Sequence, residues 1–348
     1  MVAVAESLEA LEPGITLSFV CSDKPSDAEF LTLEKRASRS LPLPRRNLAM
    51  PFTFAKAFAA SLRILREEKP DVVFSKGSAV SVPLCYAARL KGIPVVLHES
   101  DAVMGWANTA VAMIATTVCV GTTEEDREER VENSRTKESP TTLYPLPSHR
   151  LIFTGNPIRS RILHGDKSQG LRLAGLDGKK PVLLVMGGSQ GARAINEAIV
   201  QCLDELLKTV YIIHLTGAGK TVAKNRPGYY ATEFGSDILP HLYAATDLAV
   251  SRAGAGSIAE LAACGIPAIL VPIRGLAGDH QVHNAERAEQ TGAAVVLQQE
   301  RLGELPAVIA SLIRETGKMQ TLRDRCRYAA RPEAARLIAE TVVQSVAR

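Results

Sequence analysis

Pro181-Val182-Leu183-Leu184-Val185-Met186-Gly187-Gly188-Ser189-Gln190-Gly191-Ala192 is the stretch on which the fold turns. The uncharged apolar run Val182–Met186 predicts a strand buried on both faces, as in a parallel sheet. The glycines after it predict a sharp turn, and Ala192 to Leu207 reads as a helix. Strand, Gly-rich turn and helix form the unit of a doubly wound α/β domain, in which backbone N–H groups at the helix start favour an anionic ligand such as phosphate. Ser189 either adds a hydroxyl donor to such a site or caps a helix in a tight turn that needs no ligand. The residues alone leave both readings open.

The same pattern extends outward in both directions. Downstream, strands are predicted at Tyr211–Thr216, Tyr229–Phe234, Asp247–Ser251, Pro267–Pro272 and Ala293–Leu297. Upstream they are predicted at Ile15–Ser22, Asp71–Ser75, Pro94–Glu99, Thr116–Gly121 and Leu151–Thr154. Helical stretches separate most of them, which predicts two doubly wound Rossmann-like domains with helices on both sheet faces. The break falls near Asn156–Lys180, where Pro157, Gly165, Gly170, Gly175 and Gly178 read as linker. The expected division is 1–157, 158–330 and a final helix over 331–348 opened by Pro332. The charged and then Pro/Ser/Thr-rich segment 124–148 reads as a mobile surface insertion. The first series has one peculiarity: the chain opens directly on a helix, Val2–Leu11, ended by Pro13-Gly14, with no strand before it. The opening strand of such a domain is normally central, so its absence predicts a gap between neighbours.

Composition narrows the function. The 348 residues are 46% hydrophobic and 22% charged, which excludes a disordered, collagen-like or disulfide-scaffold protein. Aromatics at 5% argue against a base-stacking platform, so no nucleic-acid partner is expected. The six cysteines are scattered and form no Cys-x-x-Cys pair, as expected of buried free thiols in a reducing cytoplasm. The longest uncharged run, Ala102 to Thr123, is broken by Gly105 and Asn108 and is read as loop, helix and strand, not as a membrane span. Net charge is only +4, but Lys35 to Arg66 carries Lys35, Arg36, Arg39, Arg45, Arg46, Lys56, Arg63 and Arg66 with no acidic residue. That block is either a solvated basic face or a surface for an anionic partner.

Further stretches have the residue types of a site. Arg252-Ala253-Gly254-Ala255-Gly256-Ser257-Ile258-Ala259-Glu260 again places glycines between a strand and a helix. Ser257-x-x-Glu260 matches a capping box; alternatively Glu260 accepts hydrogen bonds from two ribose hydroxyls while the loop amides hold a pyrophosphate. Two phosphate-type loops in one half of the chain favour a nucleotide diphosphate. In Gly278-Asp279-His280-Gln281-x-x-Asn284, Gln281 offers a donor and an acceptor for sugar hydroxyls. His280 and His283 lack a third ligand, so no metal site is expected. His98-Glu99-Ser100-Asp101 lies at the carboxyl end of a strand, the edge where open α/β sheets bind ligands. Gly155-Asn156-Pro157-Ile158-Arg159 places an arginine suited to a phosphate at the junction of the halves. Asp-x-Asp, a common metal–diphosphate device of glycosyltransferases, does not occur, and no cofactor is expected.

Lys69–Val73, Gly92–Glu99, Gly155–Arg159, Gly187–Arg193, Ala255–Glu260 and Asp279–Ala285, in this order, resemble the bacterial N-acetylglucosaminyltransferases that convert lipid I to lipid II in peptidoglycan synthesis. The resemblance runs over nearly the whole chain. It implies the two-Rossmann glycosyltransferase fold, type B, with UDP-N-acetylglucosamine on the C-terminal half. It further implies Arg159 and Ser189 near the diphosphate, Phe234 and the Gly235 backbone at uracil, Ala255, Gly256, Ser257, Ile258 and Ala259 around the phosphates, Glu260 on the ribose and Gln281 on the sugar. The acceptor would be the undecaprenyl-pyrophosphate-linked lipid I, and the reaction would be inverting. The final helix would return to the N-terminal domain.

The resemblance also implies docking on the cytoplasmic face of the cell membrane as a peripheral protein. Leu48, Phe52, Ala55 and Phe58 fall at helical spacing with Arg45, Arg46, Lys56 and Arg63 around them, which suits anionic headgroups; the other reading makes these phenylalanines core. Two departures stand out. The family's Gly-Gly-Thr-Gly-Gly-His-like loop after its first strand has no counterpart here, and its Gly-Gly-Tyr-x-Ser-like loop reads Gly77-Ser78-Ala79-Val80-Ser81. Asp101 stands where some members have Asn and is the candidate to accept from a sugar hydroxyl or act as base. The alternatives are a non-catalytic or truncated homologue that binds nucleotide-sugar without turnover, or another glycolipid glycosyltransferase or nucleotide-sugar epimerase of the same fold.

Overall fold

Short β-branched runs alternate with amphipathic helices through the computed structural model, which describes residues 1–24, 31–32, 34–42, 50–121, 151–188, 192–220, 223–233, 237–275 and 277–346. The chain divides into two compact units, Met1–Pro157 with Glu333–Arg348, and Ile158–Pro332. The segment 124–148 and the site candidates Arg45, Arg46, Leu48, Ser189, Phe234 and Gly235 lie outside the described residues.

The first unit begins with α1 (Val2–Leu11), β1 (Phe19–Ser22), β2 (Ser38–Leu41), α2 (Met50–Glu68), β3 (Val73–Ser75) and α3 (Ser81–Leu90). It continues with β4 (Val95–Glu99), α4 (Trp106–Ile114), β5 (Thr117–Val120) and β6 (Leu151–Phe153). All its strand pairs are parallel, but they form two sheets, β1–β2 and β3–β4–β5–β6. Alternation along the strands sorts the two faces. Val95, Leu97 and Val118 pack under α2, α3 and α4, whereas Val96 and Cys119 pack on Val4 and Leu8 of α1 and on Ile338, Ala339 and Val342 near the C-terminus.

Helices tie the two sheets together across the division. Ala5 of α1 packs with Phe19 and Cys21 of β1, while its neighbour Val4 packs with Val96 of β4. On the opposite face Ile64 of α2 packs with Leu41 of β2, and Leu65 joins the cluster over β3 and β4. These side chains join the two sheets, which share no ladder among the described residues.

The second unit starts with a 3₁₀ turn (Ser160–His164), then α5 (Lys167–Leu173), β7 (Val182–Met186), α6 (Arg193–Gln201), α7 (Leu203–Leu206), β8 (Tyr211–Leu215) and β9 (Tyr229–Thr232). α8 (Leu239–Ala244), β10 (Leu248–Ser251), α9 (Ala255–Ala263), β11 (Ala268–Leu270), α10 (His280–Gln290) and β12 (Ala294–Val296) follow. α11 (Leu305–Arg314) and α12 (Thr316–Ala329) complete it, and α13 (Ala334–Val346) belongs to the first unit, packed on α1. The six strands are all parallel in the order β12-β11-β10-β7-β8-β9. Strand order reverses between β7 and β10, so the loops leaving these two neighbours diverge to opposite faces and open a crevice.

Several sequence expectations change. Pro94, Pro181 and Pro267 stand just before their strands; lacking an N–H, each gives the ladder only its carbonyl, to Val73, Tyr211 and Ala249 respectively. β2 is not legible in the sequence, because Ser38-Arg39-Ser40-Leu41 exposes all but Leu41 and has no apolar alternation. The helix read from Ala192 to Leu207 breaks at Cys202, which adopts φ −108°. The stretch read as linker is ordered packing. A Cβ on Gly165 would stand 1.9 Å from the carbonyl oxygen of Pro240, and one on Gly170 would stand 2.0 Å from that of His241. Glycine is required there for close approach to α8, not for flexibility.

Candidate functional site

Loops at the carboxyl edge of β7, β10 and β11 stand side by side because these strands are neighbours. After β10, Gly254 is the N-cap of α9, so the helix begins at Ala255. Ser257 thus lies inside the first turn and makes no side-chain cap, which overturns the capping-box reading of Ser257-x-x-Glu260. The first intrahelical bond here runs from the Ile258 N–H to the Gly254 carbonyl, leaving the N–H groups of Ala255, Gly256 and Ser257 without acceptors in their own helix. A Cβ on Gly254 or Gly256 would meet nothing within 4 Å, so this end of the helix faces open space. Gly188, after β7, has φ +80° and is equally open. Clustered N–H donors, the positive end of a helix and glycine backbone open to approach suit a diphosphate.

Side chains fix this edge from behind. Arg252 is buried and turned inward, donating to the Val271 carbonyl at 3.0 Å and to Gln299 Oε1 at 2.6 Å, and burial lowers its pKa. It braces the ends of β10 and β11 and is not a ligand arginine. Asn284 of α10 donates to the Ala253 carbonyl at 3.2 Å. Glu260 is half-buried on α9, and its Oε2 accepts the hydroxyl of the buried Tyr243 at 3.0 Å. Ile258 and Ala259 are half-buried on the same turn. Gln281, in the first turn of α10, accepts the Ile273 N–H through Oε1 at 3.3 Å. Arg159, half-buried, is the N-cap of the 3₁₀ turn that opens this unit. His283 faces Glu286 at 3.4 Å, and among the described residues no group of three His, Cys, Asp or Glu is placed to hold a metal.

A cavity of about 310 Å³ lies at the opposite, amino edge of this sheet, lined by Lys180, Val182, Asp247 and Arg323 among others. Its carboxylate is spent on structure: Asp247 accepts from the Val182 N–H at 2.9 Å and from Arg323 at 3.3 Å. Ligands of doubly wound sheets bind at the carboxyl edge, so the loops described above are the better candidate.

The first unit has its own polar cluster at the carboxyl end of β4. Glu99 is 2% exposed, and its carboxylate accepts the Asp101 N–H at 2.9 Å and Asn108 Nδ2 at 2.8 Å. Burial pushes it up to about 7, against the pull of these hydrogen bonds. His98 is fully buried; its Nε2 donates to the Gly155 carbonyl at 3.0 Å, which makes Nδ1 the acceptor for Ser100 Oγ at 3.3 Å. Burial keeps the ring neutral, with its pKa down at about 3. His98 and Glu99 therefore shape the Ser100–Asp101 turn from inside, and Ser100 and Asp101, both half-buried, are the members of the motif nearer solvent. Among the described residues Asn108 Oδ1 and Asn156 Oδ1 are buried without hydrogen-bond partners, the first against Gly77 and the second against Gly121. Beside Gly77, Ser78 holds φ +119°, a strained value for a residue with a side chain.

The apolar stripe on α2 divides. Phe52 is 80% exposed and shares the outer face with Ala55, Lys56, Ala59 and Arg63. Phe58 is half-buried, stacked on Phe54 at 6.3 Å and packed on the core under α2, so the membrane-facing reading of Phe58 is corrected to a core one. No helix among the described residues is long and apolar enough to cross a membrane.

Comparison with known proteins agrees with this architecture. Residues 182–340 match the glycosyltransferase family 28 C-terminal domain and residues 1–120 the glycosyltransferase family 28 N-terminal domain. A UDP-N-acetylglucosamine--N-acetylmuramyl-(pentapeptide) pyrophosphoryl-undecaprenol N-acetylglucosamine transferase of Clostridium kluyveri is 39% identical over 259 residues, 73% of this chain and 68% of the relative. The enzyme of the same name from Clostridium perfringens is 36% identical over 302 residues, 84% of this chain and 80% of the relative. The crystal structure of Acinetobacter baumannii MurG superposes with a TM-score of 0.71 at 26% identity, covering 99% of this chain and 94% of that one. A UDP-GlcNAc 2-epimerase from Neisseria meningitidis matches in fold alone, with a TM-score of 0.69 at 15% identity over 99% of this chain and 97% of that one. The chain belongs to glycosyltransferase family 28.

Proposed function

We propose that this protein transfers N-acetylglucosamine from UDP-N-acetylglucosamine to the 4-hydroxyl of the N-acetylmuramoyl-pentapeptide of lipid I, forming lipid II for peptidoglycan. The observation that carries the reading is the pair of glycine-bearing loops on adjacent strands β7 and β10 at the switch point, in a chain 39% identical to a transferase of that name. The acceptor oxygen attacks the anomeric carbon, the carbon–oxygen bond to the diphosphate breaks, and UDP departs with inverted configuration at the sugar. Charge grows on the leaving diphosphate, so donors fixed in advance are what the step needs. The N–H groups of Ala255, Gly256 and Ser257, the Gly188 backbone, Ser189 and Arg159 serve that role. Glu260 accepts the ribose hydroxyls, Phe234 and the Gly235 backbone take uracil, and Gln281 reads the sugar. Asp101 is the candidate to take the proton of the attacking hydroxyl, with Glu99 and His98 holding its turn.

Lipid I is membrane-bound, so the enzyme works at the membrane's cytoplasmic face. Phe52 with Lys56 and Arg63 on the outer face of α2 gives an apolar residue flanked by cations, suited to anionic lipid. The epimerase alternative has only a shared fold behind it.

The deciding experiment measures UDP release from UDP-N-acetylglucosamine with and without a soluble lipid I analogue. Release that depends on the analogue and yields the disaccharide supports the reading. UDP binding without release supports a non-catalytic homologue, and free sugar formed without acceptor points to another reaction.

A further inference from the structure

Glu260 is half-buried on α9, and a glutamate has several rotamers to lose before both its oxygens can meet a diol. The bond to Tyr243 limits that freedom. We propose that Tyr243 is a positioning residue for the nucleotide: its hydroxyl holds the Glu260 carboxylate in the orientation that accepts both ribose hydroxyls, and thereby sets the preference for ribo- over 2′-deoxyribonucleotide. The proposal rests on the reading of Glu260 as the ribose ligand.

Tyr243 is 1% exposed and donates to Glu260 Oε2 at 3.0 Å. Its hydroxyl also lies 3.6 Å from Sδ of Met186, the last residue of β7, immediately before the Gly187-Gly188 loop. Burial and the neighbouring carboxylate hold the phenol well above its ordinary pKa, so it stays a donor across the working pH range. The ring cannot drift, because α8 is clamped from behind. Gly165 and Gly170 approach the Pro240 and His241 carbonyls too closely to admit a Cβ, and the Asp166 N–H donates to His241 Nδ1 at 3.0 Å. The glycines that read as linker in the sequence thus seat α8, α8 seats Tyr243, and Tyr243 aims Glu260. A bidentate carboxylate needs both oxygens presented to the two hydroxyls at once, so a carboxylate free to turn loses most of the benefit of the second hydroxyl.

The test is calorimetric titration of the full chain and its Tyr243→Phe and Glu260→Gln variants with UDP and with 2′-deoxy-UDP. Wild type should prefer UDP, and Glu260→Gln should bring the two nucleotides close together. Tyr243→Phe, with its melting temperature checked, should lose about tenfold in UDP affinity and little for 2′-deoxy-UDP. Equal losses for both nucleotides, or an undiminished preference in Tyr243→Phe when Glu260→Gln has lost it, would overturn the proposal. If wild type shows no preference, or Glu260→Gln keeps it, the ribose reading of Glu260 fails and the role of Tyr243 fails with it. Should Tyr243→Phe not fold, Tyr243→Met, which fills the site without a hydroxyl, is read against the same outcomes.

Discussion

His214 on β8 makes the second unit sensitive to acid in a way that can be worked out from three hydrogen bonds. Asn196 Nδ2 donates to the Thr216 carbonyl at 2.9 Å, which turns the amide oxygen toward His214 Nε2, 3.0 Å away. Nε2 must then carry the proton, and Nδ1 accepts from the Tyr229 hydroxyl at 3.0 Å. The ring has no exposed surface, and burial takes its pKa from 6.5 down to about 4. Between these values the unfolded chain binds a proton that the folded one refuses, so stability is complete above pH 6.5 and falls as the pH drops toward 4. At about 1.36 kcal/mol per pH unit, moving from pH 7 to pH 5 costs about 2 kcal/mol through this one group.

His214→Gln removes the titration. It also loses some packing, so the comparison is between pH slopes and not between absolute stabilities. The single tryptophan, Trp106, lies in the other unit, so its fluorescence does not follow this transition. Hydrogen exchange of the β7 and β8 amides does. Wild type should lose about 2 kcal/mol more protection free energy than His214→Gln between pH 7 and pH 5. Equal losses in the two proteins would refute the reasoning.

Three further outcomes are expected. Gly170→Ala should lower stability by about 1–3 kcal/mol, because overpacking against the His241 carbonyl outweighs the better helix propensity of alanine in α5; thermal melting reads it. Ser78→Gly should gain roughly 1 kcal/mol in melting experiments by relieving φ +119°, since the bonds accepted by the residue 78 carbonyl are kept. Phe52→Ser should weaken binding to anionic vesicles while leaving stability within about 0.5 kcal/mol, whereas Phe58→Ser should destabilise the core; vesicle sedimentation and melting curves separate the two effects.

Much of this fold can be read from residue order because its central strands announce themselves. Val182–Met186 and Leu248–Ser251 are short apolar runs between turns, buried throughout, and the glycines after them mark the loops that carry the candidate site. The remainder depends on partners distant in sequence. β2 is held by its pairing with β1 and by Arg39 bridging Glu67 and Glu68 at 2.6 Å, none of which a local pattern reports. Phe58 and Phe52 sit on one predicted stripe, and only tertiary packing turns one inward. Tyr243 lies 17 residues before Glu260, and no spacing rule connects them. Ser257-x-x-Glu260 satisfied a local rule that the helix start at Ala255 then overrode.

The separation of β1–β2 from the sheet that starts at β3 has a consequence for how the first unit opens. Among the described residues neither strand has a ladder partner on its second side, so no backbone hydrogen bond couples the small sheet to the large one. Among the described residues side chains bridge them, from α1, α2 and α3 and from Leu17 and Val80 in the loops. Backbone ladders are what make neighbouring strands melt together. The β1–β2 pair is therefore expected to open as a separate foldon while β4 and β5 stay closed.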